Sequence, residues 1–418
     1  MSFEIPTYLN FSAPSKVLEN EVNNVHFKPI SGATFGPSDN IKFKITSNNA
    51  FLRPSKCFLK YNIALSGGDS STTSASTTTY VGSAAGIISR VETSVSGLRV
   101  EDINDYGLYV SKLYQKSTSE YKDLLKALEG YNDISNATFI NAANTDTIKT
   151  ARTVCHALRT CIFEAPTDVP LCFLRGGLEM TIYTGALLAF INTAQAATPQ
   201  TTFVITNVSM VCGMIKVPDS YLTSFQQSLE KGNTAKIPLS ITRSISTALV
   251  ASTDNDVQLQ VGFLKSLNSI LGITRLSAEI NTNTKDTFNL MTRDGLDSWY
   301  TSNGSERFPR DHEITCLDTN YDPTALMYAL MSIDNNYNHF GQTAAGYQGA
   351  TQFDIFQSFT PAPGQFGTGM TVTDGSITVH LDYGASSPTA LSKINWFINY
   401  SALLSISNSG VSLDSTSF

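Results

Sequence analysis

The sequence predicts an all-β protein built as two β-sandwiches in series. Three observations carry this reading. The two halves echo each other: Gly177-Leu-Glu-Met-Thr-Ile-Tyr183 precedes Phe203–Val211, and the same order returns as Gly375–Tyr383 before Ile394–Leu404. Both later segments hold a similar triplet, Asn207-Val208-Ser209 and Asn399-Tyr400-Ser401. Strand-like runs separated by turn signals outnumber helical ones along most of the chain. Finally, 418 residues leave room for two domains of about 200 residues, each with a core of its own.

Residues 1–35 have weak periodicity and scattered Pro and Gly, and read as an extended N-terminal arm. Ile41–Ile45 alternates with period two, a half-buried strand. Lys56–Leu65 is a second strand. Ser66–Thr79 is low-complexity Ser/Thr and reads as a loop. Ile87–Val95 and Leu98–Glu101 are strands about a Ser96-Gly97 turn. Helix is expected over 102–116 and over Ser119–Gly130, where Leu124, Leu125 and Leu128 form a stripe. Strands follow at 152–164, 172–183 and 202–215. Pro218–Gly232 is an amphipathic helix with Tyr221, Leu222, Phe225 and Leu229 on one face. It marks the boundary. Strands resume at Lys236–Ile245, Asp256–Phe263 and Ser269–Thr274. A long insertion at 280–350, with a helix candidate at Pro323–Ile333, precedes strands at 351–359, 376–383 and 394–406.

Composition narrows the function. Charged residues are 15% of the chain, below the ~25% usual in soluble proteins, so much of the surface is uncharged and suits large protein contacts. Net charge of −7 does not favour nucleic acid in bulk. Residues 1–60 nevertheless carry seven Lys/Arg against four acids, while 319–418 carry Lys393 alone against six Asp. This polarity reads as solvated loops, or as an N-terminal end that faces something anionic. The cysteines (Cys57, Cys155, Cys161, Cys172, Cys212, Cys316) form no C-x-x-C pair, which indicates buried free thiols and a reducing compartment. No signal pattern opens the chain and no apolar run approaches 18 residues. The Asn-x-Ser/Thr matches at Asn10, Asn136, Asn207, Asn303 and Asn399 are therefore chance.

The chemistry-bearing candidates are weak. Asp311-His312-Glu313 is the best cluster, but successive strand residues point apart, and a solvated or subunit-contact loop explains it. His26, His156, His339 and His380 have no metal-ligand spacing, and His380 reads as one face of a strand. Arg175-Gly176-Gly177 lacks the rest of a phosphate loop and opens a strand. Phe27, Phe35, Phe43 and Phe51 among basic residues fit nucleic-acid binding less well than core-facing strand positions. The tyrosines of 321–347 suit either a carbohydrate platform or an interface. No catalytic, cofactor-binding or metal residue is expected.

A family resemblance enters with the order of motifs. After the arm come Gly36-Pro37-Ser38-Asp39, the strand 41–45, Phe51-Leu52-Arg53-Pro54, Ile88-Ser89-Arg90-Val91 and Asp105-Tyr106, and then the central Val217-Pro218-Asp219-Ser220-Tyr221 helix. Across nearly the whole chain this layout resembles the double jelly-roll major capsid proteins of the adenovirus and tectivirus lineage. It is most similar to those of polinton-like viruses and virophages.

The resemblance implies two eight-stranded jelly rolls, divided as arm 1–35, first roll 36–217, connecting helix 218–232 and second roll 233–418. It implies a homotrimer that forms a pseudo-hexagonal capsomer in the icosahedral shell of a double-stranded DNA virus. The implied partners are neighbouring capsomers, penton and minor capsid proteins, and an internal membrane or the genome on the inner face. The implied location is the virion capsid, after synthesis in the host cytoplasm or nucleus without secretion. The family brings no catalytic residues. The competing readings are a β-sandwich receptor- or glycan-binding protein using 321–347, and a hydrolase centred on His312.

Overall fold

The computed structural model describes residues 22–66, 79–80, 84–130, 152–186, 191–192, 202–277, 280, 293–316, 353–360, 366–384, 387–388 and 392–415. The expected loop after Ser66, the helix candidate 323–333 and the tyrosines of 321–347 lie wholly or mainly outside these residues.

The first half contains β1 (Val22–Phe27), β2 (Asn40–Ile45), β3 (Ala50–Ser66), β4 (Thr79–Tyr80), β5 (Ile88–Val95), β6 (Leu98–Asn104), β7 (Arg152–His156), β8 (Leu178–Thr184), β9 (Ile191–Asn192) and β10 (Thr202–Lys216). One sheet runs β1-β10-β3-β7; β2, β8, β5 and β6 lie in that order in another, and β4 pairs with β9. Setting aside the β4–β9 pair, eight strands remain. Their orders, 1-8-3-6 and 2-7-4-5, are those of a jelly roll: two Greek keys folded face to face.

The second half repeats this arrangement. Its strands are β11 (Ala235–Ala248), β12 (Asp254–Gln260), β13 (Leu264–Leu276), β14 (Ser298–Asn303), β15 (Glu306–Phe308), β16 (Ile314–Thr315), β17 (Ile355–Ser358), β18 (Met370–Val372), β19 (Ser376–Asp382), β20 (Ser392–Ser407) and β21 (Gly410–Asp414). The orders β11-β20-β13-β17 and β12-β19-β14-β15 are again 1-8-3-6 and 2-7-4-5, with β16, β18 and β21 as short additions. The echo read in the sequence is thus the seventh and eighth strands of each roll. The six earlier pairs correspond in topology without matching in sequence.

Alternation explains the strands. β2 exposes Asn40, Lys42 and Lys44 and buries Ile41, Phe43 and Ile45, so the basic residues and the phenylalanines occupy opposite faces. Phe35 is also buried, while Phe51 meets Tyr221 and Phe225 of the connecting helix α3 (Asp219–Glu230). Glycine sets one close crossing. Gly177 has φ +76°, and a Cβ there would lie 2.4 Å from Thr46 Cγ2, so Arg175-Gly176-Gly177 is a tight entry into β8 and not an anion cradle.

Two expectations are corrected. The N-terminal arm does not extend through residue 35: Val22–Phe27 pairs with β10 over six residues and is the first strand of the first roll. Its polar sequence, Val-Asn-Asn-Val-His-Phe, concealed it, because strand identity here comes from backbone pairing and not from an apolar face. Likewise, the insertion at 280–350 contains β14, β15 and β16. The signal for the β14–β15 hairpin was Asn303-Gly304, where Gly304 has φ +59° and Asn303 pairs with Glu306.

Two helices follow β6: α1 (Tyr106–Lys116) and α2 (Ser119–Glu129). α1 is buried on nearly every side, unlike an amphipathic surface helix. It lies between the rolls, where the Tyr109 ring packs, tilted by 35°, at 5.0 Å from Phe397 of β20. The first hydrophobic cluster therefore continues from the first roll across β11 and β20, taking in Ile237, Leu239, Phe397 and Leu404. The second cluster, with Trp299 and Trp396, fills the second roll alone.

Candidate functional site: the seam between the rolls

The four-strand run β2-β8-β5-β6 and the run β11-β20-β13-β17 are one sheet, because β6 meets β11 edge to edge. The junction is a single parallel pair, Asp102 with Arg243. One backbone pair cannot hold two domains in register, so side chains complete the ladder. Glu101, 3% exposed, accepts the Thr242 N–H on Oε1 and the Cys161 N–H on Oε2, both at 2.8 Å. Ser244 Oγ accepts the Asn104 N–H at 2.7 Å. Burial pushes the Glu101 carboxyl up to about 8, against the two N–H groups that draw it down. A groove of about 410 Å³ opens beside this junction, lined by Arg99, Glu101, Arg243 and Tyr400 among others.

Behind the ladder lies a buried ionic cluster. Lys112 and Lys116 of α1 reach Asp354, just before β17, with Nζ to Oδ2 distances of 2.8 and 3.0 Å. Lys116 also lies 5.1 Å above the Phe356 ring. Burial draws Lys112 down to about 8 and lowers Lys116, in both cases against the attraction of Asp354. For Asp354 burial acts upward, and the two ammonium groups together hold it below its ordinary value. At the entrance to α1, Asp105 accepts from Arg275 at 3.1 Å and from Asn395 at 2.6 Å. Each of these contacts joins a residue of one roll to a residue of the other, which fixes their relative orientation.

The sequence candidates fall elsewhere. Asp311, His312 and Glu313 are exposed, and Glu313 accepts from Ser298 and Arg307. Among the described residues no hydrogen bond joins His312 to either neighbour. His26 is exposed on β1, and His339 lies outside the described residues. His156 is fully buried between Glu129 at 2.9 Å and Tyr106 at 3.0 Å. This hydrogen-bonded network anchors α1 and α2 to β7. Of the cysteines, Cys57, Cys161 and Cys212 are buried and the other three are partly exposed; all six are free. Among the described residues no group of three metal-ligating side chains occurs, and no helix is long and apolar enough to cross a membrane.

His380 has a geometry that the sequence did not reveal. Ser302 Oγ lies 2.9 Å from its Nε2, and Asp256 Oδ1 lies 2.6 Å from its Nδ1, the order of a Ser-His-Asp triad. The strand registers β12-β19-β14 bring the three together on the outer sheet face. The setting does not suit catalysis. β14 lies between β19 and β15, so its N–H groups are engaged in the ladder and offer Ser302 no oxyanion-binding pair. Tyr300 stacks on His380 at 4.3 Å, and Arg307 covers Tyr300. His380→Ala is expected to cost about 1 kcal/mol or less in urea unfolding. The parent protein is expected to remain unlabelled by a fluorophosphonate, as read by intact mass; labelling that disappears in Ser302→Ala would contradict this.

No family model and no curated protein sequence matches the chain. Solved structures do. The quasi-atomic capsid of PBCV-1 has TM-score 0.64 and 13% identity, over 97% of this chain and 99% of that one. The Sputnik virophage structure gives 0.55 and 11%, over 100% and 94%. The mavirus major capsid protein gives 0.51 and 12%, over 100% and 94%. At these identities the likeness is one of fold: the chain has the double jelly-roll fold found in viral major capsid proteins, and it spans both rolls.

Proposed function

We propose that this chain is a major capsid protein of a double-stranded DNA virus. It acts by assembly and not by turnover, as a homotrimer in the virion shell. The observation that carries the reading is the repetition of one jelly roll, strand for strand, within a single chain whose fold is that of viral capsid proteins. Three chains then present six similar rolls, and a threefold ring can fill a sixfold position. A heterologous interface of this kind closes as a ring. The division into a first roll ending near residue 217, a connecting helix and a second roll belongs to the same proposal. So does contact of the capsomers with neighbouring capsomers, penton and minor capsid proteins.

Sedimentation and native mass spectrometry are expected to give a particle of three chain masses that survives dilution. Negative-stain images are expected to show hexagonal outlines with threefold averages. A stable monomer under all conditions would overturn the proposal. No described residue favours the glycan-binding reading, since its tyrosines lie outside the described segments.

A further inference from the structure

Two of the six cysteines face each other inside the first roll. β10 pairs with β3 in a register that sets Met210 against Leu59 and Val211 against Phe58, so the next step puts Cys212 opposite Cys57. Beyond that step the register jumps and Gly213 faces Arg53, which leaves a bulge in β3 at Pro54–Lys56. Cys57 points inward with Leu59 and Tyr61, and Cys212 with Met210 and Met214; all six belong to the first hydrophobic cluster.

The bulge brings the two sulfurs into contact. Cys57 donates its S–H to the Arg53 carbonyl at 3.2 Å, and its sulfur accepts from Cys212 and from the Gly213 N–H. Glycine at 213 permits this approach, since a Cβ there would lie 2.5 Å from Lys56 Cβ. The bond from Cys212 draws the Cys57 thiol down and holds the Cys212 thiol up. Cys57 is 9% exposed and Cys212 0%. The more acidic thiol is thus the one nearer the surface, and the other lies behind it as a resolving partner.

We infer that Cys57 and Cys212 form a redox-sensitive clasp across β3 and β10, a dithiol in reducing surroundings and a stabilising disulfide after contact with a peroxide. Residues directly opposite on antiparallel strands have Cα atoms about 4.5–5.5 Å apart, inside the range of about 4.4–6.8 Å that a disulfide spans. The Cys57 thiolate, its proton released to water, attacks one peroxide oxygen; the O–O bond breaks, hydroxide leaves, and a sulfenic acid forms. The Cys212 sulfur then attacks the Cys57 sulfur. The S–O bond breaks, and the departing hydroxide takes the Cys212 proton and leaves as water. The two thiols lose two electrons in all, and one peroxide becomes two waters. The closed clasp joins the third strand of the roll to its eighth and encloses about 155 residues, which restricts the unfolded chain. Such a clasp is open in a cytosol and closed outside the cell. It stands apart from the assembly proposed above.

The test treats the full-length protein, freed of reductant, with a small molar excess of hydrogen peroxide and then blocks the remaining thiols in denaturant. Mass spectrometry of a digest is expected to find, in most chains, a peptide joining residues 57 and 212 that dithiothreitol splits. Partly exposed Cys155, Cys172 and Cys316 report in the same digest that the peroxide was active. Cys212→Ala is expected to give no linked peptide and, with dimedone present, an adduct on Cys57. Far-ultraviolet circular dichroism in urea is expected to show a higher midpoint for the oxidised parent. Dithiothreitol should return it to the starting value, and Cys212→Ala should show no shift. Active peroxide that leaves both residues as thiols, or links either one to another cysteine, overturns the clasp. So does a 57–212 bond that leaves the urea midpoint unchanged.

Discussion

Asp354→Ala is expected to lower the unfolding free energy by about 3–5 kcal/mol, the usual result of deleting one member of a buried ion pair. Here one carboxylate serves two ammonium groups, and Lys112, Lys116 and Asp354 are all 3% exposed or less. Removing it leaves two positive charges at close range in a medium that solvates them poorly. The loss falls between the rolls, so it also uncouples them. Both tryptophans, Trp299 and Trp396, lie in the core of the second roll. Fluorescence therefore follows that roll, while far-ultraviolet circular dichroism follows the whole chain. In urea the two transitions are expected to separate in Asp354→Ala and to coincide in the parent. Replacing all three residues by apolar ones of similar size is expected to restore most of the stability. A loss under about 1 kcal/mol in the single variant would show that the cluster does not hold the rolls together.

Glu101→Ala is expected to cost about 2–5 kcal/mol, since two buried N–H groups lose their acceptor and a void replaces the side chain. Glu101→Gln separates these effects. It fills the space, but its NH₂ must face one of the two N–H donors, and about 1–3 kcal/mol should be lost. The carboxyl also gives the parent a characteristic dependence on pH. A carboxyl raised from 4.5 to about 8 keeps in the folded state a proton that the unfolded chain releases. Stability is therefore greatest below about pH 4.5 with respect to this group, falls as pH rises through the window to about 8, and is level above it. The contribution is on the order of a few kcal/mol. Urea midpoints measured from pH 5 to 8.5 should decline in the parent and lose that component in Glu101→Gln. An identical slope in both proteins would assign the pH dependence elsewhere.

What could be read beforehand follows from how local each signal is. The strand at 41–45, the Ser96-Gly97 turn and the helix after Pro218 are set by residues within a few positions of one another, and each appears where expected. The echo was legible because each seventh strand alternates between buried and outward positions, opens on a glycine and is followed by a long, mostly buried eighth strand. β1 and β14 were not, since their polar residues pair through the backbone and half of each strand faces outward. The seam was least legible of all. Glu101, Lys112 and Asp354 look like ordinary surface charges in sequence; the meeting of β6 with β11 buries the first, and the packing of α1 against the start of β17 buries the other two. The Asp256, His380 and Ser302 arrangement has the same origin in strand register, which residue spacing along the chain does not disclose.

The burial of α1 on nearly every side has a consequence for the order of synthesis. β10, the closing strand of the first roll, ends at Lys216, so that roll can complete itself while the second is still on the ribosome. During that interval α1 exists without Phe356, Phe397 or Asp354, the groups that later enclose Tyr109, Lys112 and Lys116. Without Asp354 and β17 to enclose them, its two lysines are left to water. They lose their water only when β17 and β20 arrive. In that order of events the charges that make the finished joint costly to disturb would earlier keep the half-made face hydrated.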